Sequence, residues 1–369
     1  MIRSYALLKI TYMVQTQPNA NFHNAGKRTV FDVRQDERFL EYRRRWYEYP
    51  LNFIVGEFPI HLDIETTNAC NLHCPFCAVT FNNWGPYRRG YMELALFRKI
   101  IDEGVENGLC SVKFSLRGEP MLHPKLFEMI RYAKEKGIMD IYINTNATLL
   151  HEDKINQLID AGLDRISVSF EGITKEVYES YRVGANYEKV LSNIKNLRRI
   201  REKRGLTYPQ IRVQTVLLPE LEESFPQYVE FWQSIADEVA YLDARHETPD
   251  DDHRGLVANW SCPFLWQRMV ILWDGTLLPC LMQGISDFNL MSLGNAKEIS
   301  IKEMWQSKKA AYYRELHKSG QAHKLEACDR CSYRAKELEK LGIKKSYNLP
   351  SLLANKKKNK TNDTCKKTP

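Results

Sequence analysis

From about residue 60 to residue 246 the sequence alternates between strand-like and helix-like segments, and this alternation constrains the fold more than any other feature. Runs rich in β-branched and apolar residues predict six strands. They are His61–Thr67, Ser111–Gly118, Asp140–Asn146, Arg165–Phe170, Ile211–Leu217 and Val239–Arg245. Amphipathic segments predict the connecting helices Glu93–Asn107, Pro124–Lys136, Glu152–Ala161, Lys175–Arg204 and Ser224–Ala236. Six βα units in series predict a parallel sheet, either open or curled into part of a barrel.

Unusual residues follow four of the predicted strands at the carboxyl end of the sheet, where the chemistry of such folds collects. A cysteine group follows the first strand and an Arg-Gly-Glu-Pro sequence, 117–120, ends the second. Asn-Thr-Asn at 144–146 ends the third strand, and Phe-Glu-Gly at 170–172 follows the fourth. We therefore expect one functional site at this edge.

The flanking segments differ in composition, which predicts four regions. The first is polar and rich in Arg and aromatic residues, and we expect it to form a helical lead-in. After the alternation stops, Asp274-Gly275 between Met269–Trp273 and Thr276–Cys280 predicts a hairpin, and a helix is expected at Ile301–His317. The predicted regions are lead-in 1–58, α/β domain 59–246, second module 247–343 and basic disordered tail 344–369.

The formal net charge of +7 comes entirely from the tail. Eight lysines less Asp363 give +7 from residue 344 onward, so the remaining chain has no net charge. A basic low-complexity tail without an aromatic and basic patch is typical of disordered sequence, and we expect no nucleic-acid partner. No apolar run approaches the roughly 20 residues that span a bilayer, and the start lacks a signal-peptide pattern. We expect a cytoplasmic protein with no membrane partner.

Seven of the nine cysteines form two groups, which in a cytoplasmic protein indicate metal ligands or catalysts rather than disulfides. The other two, Cys110 and Cys365, are interpreted as a small core residue and a tail residue. Cys70, Cys74 and Cys77 present three thiols within eight residues. They can wrap three corners of a [4Fe–4S] cluster and leave one iron open to a small molecule. The alternatives are a zinc site, with nearby His73 or His61 as a fourth ligand, and three thiols that are close only by chance.

The second group places twelve residues between Cys262 and Gly275, four more before Cys280, and a C-x-x-C at Cys328 and Cys331. Four cysteines can fully ligate a [4Fe–4S] cluster, and such a site suits electron transfer rather than substrate binding. A structural zinc on four cysteines is also allowed by this spacing.

The sequence CNLHCPFC after the first strand resembles the CX3CXΦC signature of the radical S-adenosylmethionine (SAM) superfamily, with Phe76 at its aromatic position. The resemblance implies a partial (β/α)6 TIM-like barrel. It also implies that SAM binds the open iron through its amino and carboxylate groups. An electron from the cluster then cleaves the sulfonium, and the resulting 5′-deoxyadenosyl radical abstracts a substrate hydrogen.

Further motifs match this family in order. The 117–120 sequence resembles its GGEP motif, which implies that Gly118 and Glu119 receive the SAM ammonium, although Arg117 replaces the first glycine. By the same resemblance, the remaining SAM contacts are expected from Asn144, Asn146, Ser169, Glu171 and Arg182, the last pairing with the SAM carboxylate. The ordinary alternatives are that the serines bond to backbone and that Arg182 caps a helix.

The second cysteine pattern is similar to the auxiliary-cluster module called SPASM, or to its shortened form, twitch, since no further cysteine follows Cys331 before Cys365. Resemblance to twitch-bearing aminocyclitol dehydrogenases implies oxidation of a sugar or cyclitol-like alcohol, with the auxiliary cluster accepting an electron. It places Arg245 at the substrate, and Asp243 or His246 are candidate bases.

Two other functions remain open: a peptide-modifying radical SAM enzyme and a non-enzymatic zinc protein. The first 58 residues are too short and polar to suggest a domain that recognises a leader peptide. We expect a small-molecule or peptide substrate and an electron donor such as a flavodoxin or ferredoxin.

Overall fold

The computed structural model describes residues 22–26, 28–77, 80, 89–243, 256–257, 261–281, 291–329, 331, 333–335, 337 and 346–347. Its strands are β1 Phe22–Asn24, β2 His61–Ile64, β3 Ser111–Phe114, β4 Asp140–Thr145, β5 Arg165–Ser169, β6 Gln210–Leu217, β7 Glu238–Asp243, β8 Leu256–Val257, β9 Arg268–Ile271, β10 Thr276–Leu278, β11 Gly294–Asn295 and β12 Ser346–Tyr347. Its α-helices are α1 Glu37–Leu51, α2 Leu94–Glu106, α3 Leu126–Glu135, α4 Glu152–Asp160, α5 Lys175–Tyr181, α6 Tyr187–Lys203, α7 Phe225–Gln233, α8 Phe264–Gln267, α9 Ile301–Trp305, α10 Lys308–Lys318 and α11 Glu326–Asp329.

The six predicted strands are β2 to β7, and they form a parallel sheet in chain order, joined by the predicted helices. The α/β prediction is therefore confirmed. Side chains alternate across the sheet. On β2, Leu62 and Ile64 pack into the main hydrophobic core with the helices, whereas the buried His61 and Asp63 face the opposite side. Every one of these strands places polar residues on that side. Charged side chains can be buried there only because they form ion pairs.

Helix α1 covers the end of the sheet at which the parallel strands begin. Trp46 lies edge-on to His61, with ring centroids 5.6 Å apart, and its carbonyl accepts a 2.6 Å hydrogen bond from the side chain of Gln267. The Arg268 guanidinium lies 4.8 Å from the Trp46 ring. The aromatic residues expected in the lead-in thus close this end, opposite the end that carries the predicted motifs.

Four strands join the sheet from outside the six βα units. β1 pairs antiparallel with β7 at one edge. At the other edge β9 pairs parallel with β2, and the predicted hairpin continues the sheet through β10 to β11. The second module is therefore built onto the first strand of the α/β domain, and the two share one continuous sheet of ten strands.

Two predicted helices are each divided in two. Lys175–Arg204 becomes α5 and α6 because Asn186 caps α6, and Gly184 between them has a φ of +98°, which favours glycine. Ile301–His317 becomes α9 and α10 because the Ser307 hydroxyl accepts from the backbone of Ala310 and begins a new helix. Within the predicted tail, β12 pairs with β8, and residues 348–369 lie outside the described part. Among the described residues, we find no helix with the length and apolar composition needed to span a membrane.

Candidate cluster and cofactor sites

The loop after β2 brings Cys70, Cys74 and Cys77 together. The backbone N–H of Cys77 donates to the Cys74 carbonyl at 3.0 Å, which turns the chain between them. Burial raises the pKa of the Cys70 thiol to about 11, and the neighbouring thiols add to this shift. Burial also raises the pKa of Cys74. Three thiolates held this close need a positive partner, which the iron of a cluster would provide.

Gly118 allows the turn after β3 to pack directly against the backbone of the cysteine loop. A Cβ at this position would lie 2.3 Å from the carbonyl oxygen of Thr67 and 2.6 Å from that of Ala69. The next backbone N–H, from Glu119, donates to the Ala69 carbonyl at 2.8 Å. The absence of a side chain therefore allows the two backbones to approach closely. Gly118 was predicted to contact SAM, and in this structure it contacts the cysteine loop.

Glu119 is buried and its carboxylate accepts three hydrogen bonds from two parts of the site. It accepts hydrogen bonds from the Met121 backbone at 3.0 Å, the Thr145 hydroxyl at 2.8 Å and the Asn146 backbone at 2.7 Å. Burial raises its pKa, and these donors oppose that shift by stabilising the charged form. The carboxylate thus fixes the end of β4 against the turn after β3.

Asn146 continues this connection to the cysteine loop. Its side-chain amide donates to the side-chain oxygen Oδ1 of Asn71 at 2.9 Å, and its own side-chain oxygen accepts from the Thr148 backbone and hydroxyl. Asn71 in turn donates to the Thr148 hydroxyl at 2.8 Å. Asn71 and Thr148 were not predicted as site residues; only the position of Asn71 directly after Cys70 could have indicated them.

Arg182, which is partly buried, and Glu171, which is fully buried, form a bidentate pair beside the same loop. Nη2 of Arg182 donates to Glu171 at 2.7 Å, and Nε donates to the second carboxylate oxygen. Burial opposes the charge of Arg182, but the Glu171 carboxylate outweighs it and raises the pKa of the guanidinium. Nη1 also lies 3.6 Å from the sulfur of Cys74, and the guanidinium carbon is 5.4 Å from the Phe76 ring. A fixed positive charge therefore stands next to one thiol of the group.

Asn144 and Ser169 complete the predicted SAM-contact set. Both are partly exposed and lie near the carboxyl ends of β4 and β5. By the alternation of the strands they belong to the polar side of the sheet, as Asp140 and Arg165 do. They are placed where a ligand above the strand ends could reach them.

The four later cysteines line one cavity. Cys262 lies before α8, Cys280 follows β10, and Cys328 and Cys331 lie at the end of the described second module. Burial raises the pKa values of Cys262 and Cys328 well above the ordinary value, and the neighbouring thiols raise them further. Among the described residues, no group of three or more His, Cys, Asp or Glu side chains is arranged to coordinate a single metal ion. A donor set of four sulfurs around one cavity fits an iron–sulfur cluster.

His317 of α10 also lines this cavity and is almost fully buried. Its Nδ1 accepts a hydrogen bond from the Cys262 backbone at 3.2 Å, and its Nε2 lies 3.3 Å from the Cys328 sulfur. Burial lowers the pKa of His317 to about 3, and the nearby Arg334 contributes to this shift. His317 therefore stands neutral between two of the cysteines, and the sequence reasoning did not find it.

Comparison with known protein families agrees with this geometry. The family model described as radical SAM superfamily matches residues 64–231, and the model described as iron-sulfur cluster-binding domain, SPASM, matches residues 262–332. The chain belongs to the radical SAM superfamily. The predicted partial barrel with a C-terminal SPASM/twitch module is confirmed. As a member of this superfamily the protein is an enzyme with a SAM-binding [4Fe–4S] cluster and auxiliary iron–sulfur binding, which sets aside the non-enzymatic zinc protein.

The individual relatives differ in what their names say they act on or bind. The chain is 26% identical over 322 residues to the tungsten-containing aldehyde ferredoxin oxidoreductase cofactor-modifying protein of Pyrococcus furiosus, covering 74% of this chain and 87% of that one. The structure of BtrN in complex with AdoMet and 2-DOIA is 21% identical with a TM-score of 0.50, covering 75% and 94%. Streptococcus suis SuiB bound to precursor peptide SuiA is 15% identical with a TM-score of 0.52, covering 79% and 76%. At these identities the two structures show a shared fold.

Within this radical SAM enzyme, two of the three predicted substrate residues, Arg245 and His246, lie outside the described residues. The third, Asp243, ends β7 and pairs with His23 of β1 at 3.2 Å. It shares a strand face with Tyr241, which packs against Phe225 of α7 and so faces the helices. The structure therefore places Asp243 on the side of the sheet away from the polar interior, and its role as a base stays a prediction.

Arg117, which replaces the first glycine of the family motif, forms a bidentate ion pair with Glu65 through two 2.5 Å hydrogen bonds. Both side chains are buried between the ends of β2 and β3. The same carboxylate lies 3.4 Å from the backbone N–H of Trp273, between β9 and β10. The pair thus links the cysteine loop to the second module. The pair could have been predicted from the sequence, because Glu65 and Arg117 carry opposite charges and follow neighbouring strands.

Proposed function

We propose that Cys70, Cys74 and Cys77 hold the SAM-binding [4Fe–4S] cluster and that Cys262, Cys280, Cys328 and Cys331 hold an auxiliary [4Fe–4S] cluster. When bound, the first cluster supplies the electron that cleaves SAM to a 5′-deoxyadenosyl radical. The observation that carries the proposal is the attachment of the three-cysteine loop to the turn at Gly118. This contact places the backbone and carboxylate of Glu119 beside the thiols, where the amino group of SAM needs acceptors.

The surrounding side chains support SAM binding by fixing these groups before the ligand arrives. Glu119 and Asn146 connect the ends of β3 and β4 to the cysteine loop, and Arg182 and Glu171 connect the end of β5 to it. A carboxylate of SAM would find the Arg182 guanidinium already positioned, and the face of Phe76 lies next to it. Such preorganisation reduces the loss of conformational entropy on binding.

We infer that the enzyme oxidises a sugar or cyclitol-like alcohol. Conversion of a secondary alcohol to a ketone removes one hydrogen atom, one proton and one further electron. A cavity lined by four cysteines offers a fully ligated cluster, which has no open iron and suits the electron. The similarity to BtrN, whose structure contains 2-DOIA, supports this reaction class. Helix α1 packs against the barrel, so the described part of the lead-in forms no separate peptide-binding domain.

A second candidate is modification of a cofactor, because the cofactor-modifying relative from Pyrococcus furiosus is matched over 87% of its length. Peptide modification is the third, given the similarity to SuiB with its precursor peptide. For each of these reactions a flavodoxin or ferredoxin would supply the first electron. Seven cysteines in two groups suit metal ligation rather than disulfides, which is consistent with a reducing cytoplasm.

The test is anaerobic reconstitution of the full chain with iron and sulfide, followed by SAM, dithionite and deuterated candidate sugars. We expect about eight irons per chain for two four-iron clusters. Deuterium in 5′-deoxyadenosine would identify both the substrate and the attacked carbon. Cys70→Ala should abolish SAM cleavage, whereas Cys262→Ala should retain cleavage with about four irons and lose alcohol oxidation.

Cys110→Ala is the matched control, since Cys110 is buried against α1 and lies in neither group. It should keep both clusters. The cluster proposal fails if Cys70→Ala still cleaves SAM, or if the wild-type chain binds only one four-iron cluster. The alcohol proposal fails separately if a candidate peptide or cofactor, and no sugar or cyclitol, transfers deuterium.

A further inference from the structure

The hydrogen bonds of His317 determine which of its two ring nitrogens carries a proton. The Cys262 backbone N–H can only donate, so Nδ1, 3.2 Å away, must accept with its lone pair. An imidazole ring whose Nδ1 accepts a hydrogen bond carries its N–H on Nε2. That nitrogen lies 3.3 Å from the sulfur of Cys328, within reach of an N–H···S hydrogen bond. The ring therefore presents a donor, and not a lone pair, to the cysteine.

This assignment excludes His317 as a ligand of the auxiliary cluster in this arrangement. To bind iron through Nε2, the ring would need its proton on Nδ1. Two N–H groups, those of Nδ1 and Cys262, would then face one another at 3.2 Å. The cost of that contact, in a residue with only 2% of its surface exposed, favours the donor form.

We propose that His317 raises the reduction potential of the auxiliary cluster by donating its Nε2–H to the Cys328 sulfur. Reduction adds one electron, whose charge spreads onto the cysteine sulfurs, and a donor aimed at one sulfur stabilises the reduced form more than the oxidised form. No proton moves in this step. His317 acts through Cys328 and is a positioning residue rather than a catalytic one.

This inference rests on the proposed function, and it predicts in which direction the hydrogen bond changes electron transfer from the substrate. A higher potential makes the four-cysteine cluster a better acceptor for the electron that leaves the substrate. The Arg334 backbone N–H also approaches the Cys331 sulfur, at 3.5 Å, so a second donor of the same kind adds to the effect. Only the donor from His317 can be removed by substitution without changing the backbone.

The test is a redox titration, monitored by electron paramagnetic resonance, of the full-length chain. It is performed in the Cys70→Ala background so that the auxiliary cluster alone gives the signal. His317→Phe keeps the ring volume and removes the donor. We expect its cluster to be about tenfold less readily reduced, the scale of one hydrogen bond to a charged group. This corresponds to a midpoint about 59 mV lower for one electron.

His317→Gln serves as the conservative variant, because its amide can accept from Cys262 and donate to Cys328, and it should recover most of the shift. His323→Phe is the matched control: it changes a histidine six residues away that does not line the cavity, and it should leave the midpoint unchanged. Iron content and circular dichroism report whether each variant is folded and loaded.

The inference is overturned if His317→Phe carries its full auxiliary iron at an unchanged midpoint. It is equally overturned if both substitutions at His317 lose the auxiliary iron while the fold persists, since His317 would then be needed to hold the cluster. If the chain with His317 intact takes up no auxiliary cluster, the proposed function fails instead, and the two failures are distinguishable.

Discussion

Replacement of Gly118 by alanine should uncouple the cysteine loop from the turn after β3. The new Cβ would lie 2.3 Å from the Thr67 carbonyl oxygen, and ordinary contact begins at 3.4 Å, so the two backbones must separate by about 1.1 Å. The 2.8 Å hydrogen bond from Glu119 to Ala69 would then stretch to about 3.9 Å and be lost. Since both clashing atoms belong to backbone, no rotamer change can relieve the contact.

Two measurable effects follow from this displacement. Overpacking of this kind costs about 1–3 kcal/mol of unfolding free energy, which urea denaturation of the reconstituted protein would detect. A misplacement of about 1 Å costs on the order of 100-fold in rate, so formation of 5′-deoxyadenosine should fall by about that factor. The auxiliary cluster lies in the second module, and about four irons per chain should remain there.

Gly26→Ala is the control, because a Cβ at Gly26 meets its nearest atoms at 3.6 and 3.7 Å, which are ordinary contacts. It should change neither iron content nor rate. The reasoning is refuted if Gly118→Ala binds its full iron and cleaves SAM within about twofold of the unmodified enzyme, because the close approach of the backbones would then not be needed.

Two further predictions concern buried charge and protonation. Arg182→Met should lower the unfolding free energy by about 3–5 kcal/mol, because it leaves Glu171 charged and buried without its partner. Adding Glu171→Gln should restore much of that loss in urea denaturation, and a double variant as unstable as the single one would contradict the pairing. His123 is buried, donates to the Met92 carbonyl and accepts from the Lys125 backbone, and burial lowers its pKa. The unfolded chain, with a His pKa of about 6.5, therefore binds the proton more readily, and stability is lost as pH falls below that value. His123→Gln should flatten thermal stability between about pH 7 and 5; an unchanged slope would show that other groups cause it.

Much of the fold could be predicted from local patterns. The six strands and the hairpin were located because β-branched runs, glycines and turn residues act over a few neighbours in sequence. The breaks inside Lys175–Arg204 and Ile301–His317 were missed because a single cap at Asn186 or Ser307 competes with a continuous apolar periodicity. Strand β1 was missed because three residues carry little pattern, and only the exposed edge of β7 gives them a partner.

The sequence by itself indicated the chemistry through two cysteine groups with cluster spacing and unusual residues after four of the strands, because ligand type and spacing are properties of neighbouring residues. Tertiary structure alone decided which side chains serve that chemistry and which hold it in place. Gly118 meets the cysteine loop, Arg117 pairs with Glu65, and His317 reaches Cys328 across the second module. The first two contacts join residues far apart in the chain, and they form only when parallel strands bring their carboxyl ends to one edge. The third depends on how two helices of the second module pack around the cavity.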